Sequence, residues 1–306
     1  MMQICSLLPS ATEIVFSLGL GDQLVGVTHE CDYPPEAARL PVVTRSNLDS
    51  EAASSREIHT HISRSLHSGS SIYRLDQEQL ASGDPSLILT QELCDVCAVA
   101  YGEVRRAVRQ LEGDRTILSL EPSNLEGILQ TILQVARHTG VPERGEAVVA
   151  GLRERIERVS EKASQAGSQP SVLALEWLDP PMAAGHWVPE MVRLAGGCDG
   201  LGQEGSPSFS ISWEEAAGYD PERIVLMPCG FTLKRTLKEA RNASWPEEWH
   251  GLQAVRSGEV YAVDGSAYFN RPGPRIVDGL EILSEILHPD IFKRFSPPDA
   301  WQRVGE

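Results

Sequence analysis

The chain has 306 residues, 41% apolar and 23% charged, a composition that excludes a mostly disordered protein. That length is too great for one small domain and suits two lobes of roughly 150 residues each. The formal net charge is -16, from 43 acidic against 27 basic residues. Such a balance repels phosphate backbones, and the basic residues lie in pairs such as Arg105-Arg106, so nucleic acid and anionic membrane are not expected partners.

In chain order, Ile4 to Leu8 reads as a short buried strand, Pro9 to Thr12 as a loop and Thr12 to Leu18 as a helix ended by Gly19 and Gly21. Leu24 to Thr28 is the next strand, so the chain opens strand–helix–strand, the start of a mostly parallel sheet. Residues 46 to 71, rich in Ser, His and Glu, read as a surface helix or loop excursion. Asp76 to Ala81 is a short helix, Ser86 to Thr90 a buried strand, Val99 to Leu111 a helix and Thr116 to Leu120 a strand. Ser123-Asn124-Leu125-Glu126 has the form of a capping box that opens a helix running to Gly140. Pro142 to about Ala166 predicts a long helix with a narrow apolar stripe (Val148, Val149, Leu152, Ile156, Val159), a rod of roughly 37 Å.

The second half restarts. Ser171 to Leu175 is a strand and Pro189 to Leu194 a helix ended by Gly196-Gly197. Ile224 to Met227 is a strand, Leu233 to Arg241 a helix, Val260 to Val263 a strand and Pro274 to Leu287 the closing helix. The halves echo each other: Leu18-Gly19-Leu20-Gly21-Asp22 matches Leu194 to Asp199, and Asp84-Pro85-Ser86-Leu87-Ile88-Leu89 matches Asp220-Pro221-Glu222-Arg223-Ile224-Val225-Leu226. The expected fold is α/β, two Rossmann-like lobes with mostly parallel sheets. The expected division is 1–141, a bridging helix 142–167, and 168–306, with a ligand cleft at the lobe interface.

No apolar run reaches the length of about 18 residues that a spanning helix needs. No Lys or Arg precedes Pro9, and the apolar run there is short, unlike a secretory signal. A cytoplasmic location is expected for the sequence as it stands, and a periplasmic one if a leader has been removed. The six cysteines are too sparse for a disulfide framework.

The loops after predicted strands collect the unusual residues: Pro9-Ser10-Ala11-Thr12-Glu13, His29 to Pro34, Gln91 to Cys97, Glu176 to Pro181, Gly185 to Glu190 and Tyr268 to Arg275. Cys94 and Cys97, three apart at a helix start, can line a pocket, ligate a soft metal or form a redox pair. Without a second such pair, a zinc site would recruit His29, Cys31 or His186. A neutral imidazole at His186 suits a metal or a metal-centred ligand. The aromatic residues on these loops can stack on a large planar ligand. The candidate ligand-binding residues are Pro9, Ser10, Thr12, Tyr33, Glu92, Glu176, Trp177, Trp187, Glu190, Phe231, Tyr268 and Arg271; the candidate metal ligands are His29, Cys31, Cys94, Cys97 and His186. Glu13, Glu92, Glu176 and Glu190 form no close pair beside a nucleophile, and neither a Gly-x-Ser-x-Gly nor a dinucleotide fingerprint is present, so an enzyme is not expected.

Ile4 to Ile14 followed by Leu18 to Thr28 resembles the opening of class III periplasmic binding proteins, the vitamin B12, ferric-siderophore and haem receptors of ABC importers. The resemblance extends over nearly the whole chain. Thr28-His29-Glu30-Cys31-Asp32-Tyr33-Pro34, Leu93-Cys94-Asp95-Val96-Cys97-Ala98, Glu176 to Pro181 and Gly185 to Glu190 resemble the branch labelled cobalamin-binding. It implies two α/β lobes joined by one long helix and a small-molecule ligand, cobalamin or a related corrinoid or metal chelate, with an ABC permease as partner. A zinc-like ion held by the Cys and His residues is the alternative.

Overall fold

Short apolar runs bounded by turn residues become fully buried parallel strands in both halves of the chain. The computed structural model describes residues 2–46, 53–67, 73–91, 101–109, 114–293 and 295–305. They divide into two units, Met1–Pro122 with Gly127–Val149, and Ser123–Glu126 with Ala150–Glu306.

The first unit is built on a four-stranded parallel sheet ordered Leu24–Gly26, Ile4–Ser6, Leu87–Thr90, Thr116–Ser119. Ile4 pairs with Leu87, which pairs with Thr116. The helix Pro9–Ser17 starts at the proline itself, so the expected loop at Pro9–Thr12 is its first turn. Proline suits this place because its fixed φ is helical and its missing N–H would have no partner there. Residues 46–71 do hold the expected excursion, the helix Ser55–His67, framed by an unforeseen antiparallel pair, Thr44–Ser46 with Tyr73–Leu75. The helix Leu125–His138 begins two residues after the expected N-cap. Asn124, not Ser123, stands before it, and Glu126 pairs with Arg153 at 2.6 Å.

The second unit carries a mixed sheet in the order Phe209–Ser210, Pro181–Ala183, Ser171–Leu178, Arg223–Leu226, Val260–Val263, Trp301–Arg303, with Cys198–Asp199 also paired to the start of Ser171–Leu178. Its centre is parallel, as expected. Its flanks are antiparallel, which the sequence pattern did not indicate. The reason is local: Asp179-Pro180 turns the chain straight back on itself, and the edge strands are two or three residues long, too short to show a period of two.

The quasi-repeat is structural. Gly19 (φ +70) and Gly196 (φ +84) end their helices in the left-handed conformation. Gly19 N–H donates to Phe16 and Leu20 N–H to Val15; Gly196 N–H donates to Arg193 and Gly197 N–H to Val192, the same closing motif twice. Asp84 (φ 45) and Asp220 (φ 46) each end the helix before a core strand.

The long helix is Pro142–Ala163, three residues shorter than expected. Val149, Leu152, Val159 and Ala163 are its buried stripe. From it Arg155 donates to both carboxylate oxygens of Glu281 (3.0 and 2.6 Å) and to Asp278 (2.5 Å) on the closing helix Ile276–Leu287. All three side chains are half-buried or better, so removing one partner leaves partly desolvated charge behind. Arg155→Ala is expected to lower the unfolding free energy by about 1–2 kcal/mol in urea titrations, and Glu281→Gln added to it should cost less than it does alone.

Candidate functional site

The central strands of the second unit are apolar on both faces, so polar and aromatic groups gather where those strands end. Glu176 and Trp177 lie at the end of Ser171–Leu178. Trp177 is buried; its indole N–H donates to the Asp179 carbonyl (3.1 Å) and its ring meets Phe231 edge-on at 5.4 Å. Phe231 follows Arg223–Leu226 and carries the Arg235 guanidinium 4.6 Å over its face. After Val260–Val263, Asp264 accepts from the Ala267 N–H (2.7 Å) and caps the turn Gly265–Tyr268. Burial raises the Asp264 carboxyl above its ordinary range, against backbone N–H donors and the charges of Arg271 and Arg275. Arg275 lies 5.6 Å from the Tyr268 ring centre. Trp187 is buried and donates its indole N–H to the Phe269 carbonyl (2.8 Å).

Asn270 Oδ1 is buried, and it accepts no hydrogen bond from any of the described residues. In the first unit, Thr90 Oγ1 at the end of Leu87–Thr90 is in the same state. Neither was picked out from sequence; a polar residue closing an apolar strand was the available signal at Thr90.

His186 is held by a distinct frame. Its φ is +52. Its N–H donates to the Ser206 carbonyl (2.6 Å) and its own carbonyl accepts from Gly205 N–H (2.8 Å). A Cβ on Gly185 would stand 2.4 Å from Ser206 O and 2.5 Å from Ser208 N, so only glycine allows this approach. Gly185 N–H donates to Ser208 Oγ (3.1 Å), and Ser208 donates in turn to the Glu176 carboxylate (2.6 Å). Burial pushes the Glu176 carboxyl up and the Ser208 hydroxyl and Gly185 N–H oppose that. The His186 ring is half-buried, 5.5 Å from that of Trp187, and burial lowers its pKa from the ordinary value. Among the described residues nothing hydrogen-bonds its ring nitrogens.

The remaining candidates divide. Glu190 accepts from Leu125 N–H (2.9 Å), so it caps a helix. Ser10 and Thr12 are buried. The Thr12 hydroxyl lies 2.8 Å from Ser6 Oγ and 3.1 Å from Cys31 Sγ, and the Thr28 hydroxyl is 3.2 Å from the same thiol. Pro9 is buried at the start of its helix. His29 is exposed, with Nδ1 on Thr44 Oγ1 (2.8 Å) and its ring 5.3 Å from Tyr73. Tyr33 is 45% exposed. Arg271 is buried. Glu92, Cys94 and Cys97 lie outside the described residues. Among the described residues no three His, Cys, Asp or Glu side chains come together as a metal site, so the zinc alternative gains no support. No described helix is long and apolar enough to cross a membrane.

Asp199 anchors the segment that frames His186. Its carboxylate accepts from Leu201 N–H (3.1 Å) and Gly202 N–H (2.7 Å), while Oδ2 is buried without a partner among the described residues. Burial pushes its carboxyl up to about 6, against those two N–H donors. The folded state therefore holds a proton between about pH 4 and 6 that the unfolded chain has released, and stability falls as pH rises through that window. Asp199→Asn is expected to stabilise the protein by about 1–2 kcal/mol at pH 7.5 and by almost nothing at pH 4, read from urea unfolding at both pH values.

A family model described as periplasmic binding protein matches residues 4–267. The chain is 26% identical to a vitamin B12-binding protein of Vibrio cholerae over 288 residues, 93% of this chain and 88% of that one. It is 24% identical to an uncharacterized ABC transporter substrate-binding lipoprotein of Bacillus subtilis, covering 95% and 81%. Among solved structures it is similar to the periplasmic vitamin B12 binding protein of Vibrio cholerae (TM-score 0.67, 23% identity, 95% and 98% covered). It is also similar to a periplasmic heme-binding protein of Pseudomonas aeruginosa (TM-score 0.71, 21% identity, 95% and 94% covered).

Proposed function

The chain belongs to the periplasmic binding protein family, and from that premise we propose that it binds a corrinoid, cobalamin or a close derivative, as the substrate-binding protein of an ABC importer. The observation that carries this reading is the likeness, along 93% of the chain, to relatives named for vitamin B12. The chemistry at the ends of the second unit's strands agrees with it. A corrinoid is a wide macrocycle with apolar faces and a rim of carboxamides. Trp177 packs edge-on against Phe231, and the indole N–H groups of Trp177 and Trp187 are already satisfied, so in this reading these residues meet a ligand through carbon surface. Asn270 Oδ1 is an acceptor suited to a carboxamide N–H group. Tyr268 and Arg271 are the further contacts we assign, with Glu176 holding the Gly185 turn through Ser208.

The chain acts by binding in this reading, not by turnover: the Glu176 carboxylate is engaged by Ser208 and Glu190 by a helix N-terminus. The loaded protein hands its ligand to a permease. Incubation with hydroxocobalamin followed by desalting should leave close to one corrinoid per chain, read from its visible bands. Trp177→Ala should weaken binding about tenfold, the loss of one large aromatic contact. A protein that retains hemin and no hydroxocobalamin would overturn the assignment.

A further inference from the structure

We propose that His186 is an axial ligand to the cobalt of the bound corrinoid, an inference that rests on the corrinoid reading above. Three observations carry it. The first is that the ring is unengaged. His29, His138 and His288 each hold a ring nitrogen within hydrogen-bond distance of a protein oxygen, at 2.8, 2.9 and 3.2 Å, whereas the exposed or partly exposed His59, His61 and His250 do not. The His186 imidazole is half-buried beside Trp187 and has no such partner among the described residues.

The second is the backbone. Among the described residues, four non-glycine residues adopt positive φ: Asp84, His186, Asp220 and Asp299. Aspartate tolerates this region through its short acceptor side chain. Histidine shares some of this tolerance, but a glycine would fit with less strain. A side chain kept in a disfavoured conformation by its surroundings marks a place where its direction matters.

The third is the frame. The two hydrogen bonds to Gly205 and Ser206, the contact of Gly185 with the 206–208 backbone, and the chain Gly185–Ser208–Glu176 fix the backbone on both sides of the imidazole. The indole of Trp187 is tied to Phe269. A metal-binding side chain needs this pre-organisation, because a ligand held loosely loses affinity to the entropy of ordering it.

The chemistry is ligand exchange. The lone pair of one imidazole nitrogen forms the Co–N bond, one cobalt-bound water leaves, and no electron changes hands. Imidazole is a strong donor for cobalt. Glu176 and Ser208 are positioning residues in this scheme.

The test uses cobinamide, a corrinoid without its own nucleotide base, so that any axial nitrogen comes from the protein. Retention after desalting is read from absorbance. The cobalt(II) form is then examined by electron paramagnetic resonance for splitting by one axial nitrogen, repeated with nitrogen-15 histidine. The full-length protein should retain cobinamide and show three-line splitting that becomes two-line with the label. His186→Gly, which suits the φ of +52, should fold, retain cobinamide about tenfold more weakly and lose the splitting. Added imidazole should restore it. Retention without nitrogen splitting, or splitting that survives in His186→Gly, overturns the axial role and leaves the corrinoid reading intact. Failure to retain either cobinamide or hydroxocobalamin overturns both.

Discussion

Strands buried on both faces must be apolar throughout, and the polar groups at the strand ends follow from that constraint. Leu87 to Leu89, Leu173 to Leu175, Ile224 to Leu226 and Val260 to Val263 are all buried. Each is hydrogen-bonded to neighbouring strands, so the backbone is satisfied within the sheet, and the side chains there are apolar except Tyr261, whose hydroxyl reaches Glu259 and Arg303. Charge, hydroxyl and amide are displaced to where the strands stop. Thr90, Glu176 and Asp264 stand at those stops, and the helices that follow inherit the same rim.

Several polar groups that enter the interior are bound to backbone. Glu190 holds a helix N–H, Asp264 another, Asp199 two, and the indoles of Trp177 and Trp187 meet carbonyls. Exceptions include Asn270 Oδ1 in the second unit and Thr90 Oγ1 in the first: both are buried without a partner among the described residues, and each carries a desolvation cost.

The doubled architecture explains both the legible and the illegible parts of the chain. The same helix-closing glycine and the same Asp-Pro entry to a core strand occur in each half. What differs is the insertion between the first strand and the first helix of each half. In the first, Leu7-Leu8 leads directly into Pro9–Ser17. In the second, the hairpin Trp177 to Ala183 and the turn Gly185-His186 intervene before Val188–Leu194. Two candidate residues of the second unit, Trp177 and His186, lie in that insertion.

The sequence by itself determined the α/β class, the order of the principal strands and helices, and the repeated turns, because these depend on local periodicity and on residues with restricted or permissive backbones. It also marked Trp177, Phe231, Trp187 and His186 by their position after strands. Tertiary structure decided the rest. The short antiparallel edges form only because a neighbour is present to pair with, so two or three residues carry no signal of their own. Thr12, Cys31 and Glu190 looked available for a ligand, and Asn270 did not draw notice. Whether a polar atom is engaged depends on what folds against it from distant parts of the chain: Glu190 meets Leu125, and Trp187 meets Phe269, 82 positions away. Residue type tells what a side chain can bond; only packing tells what it is left to bond.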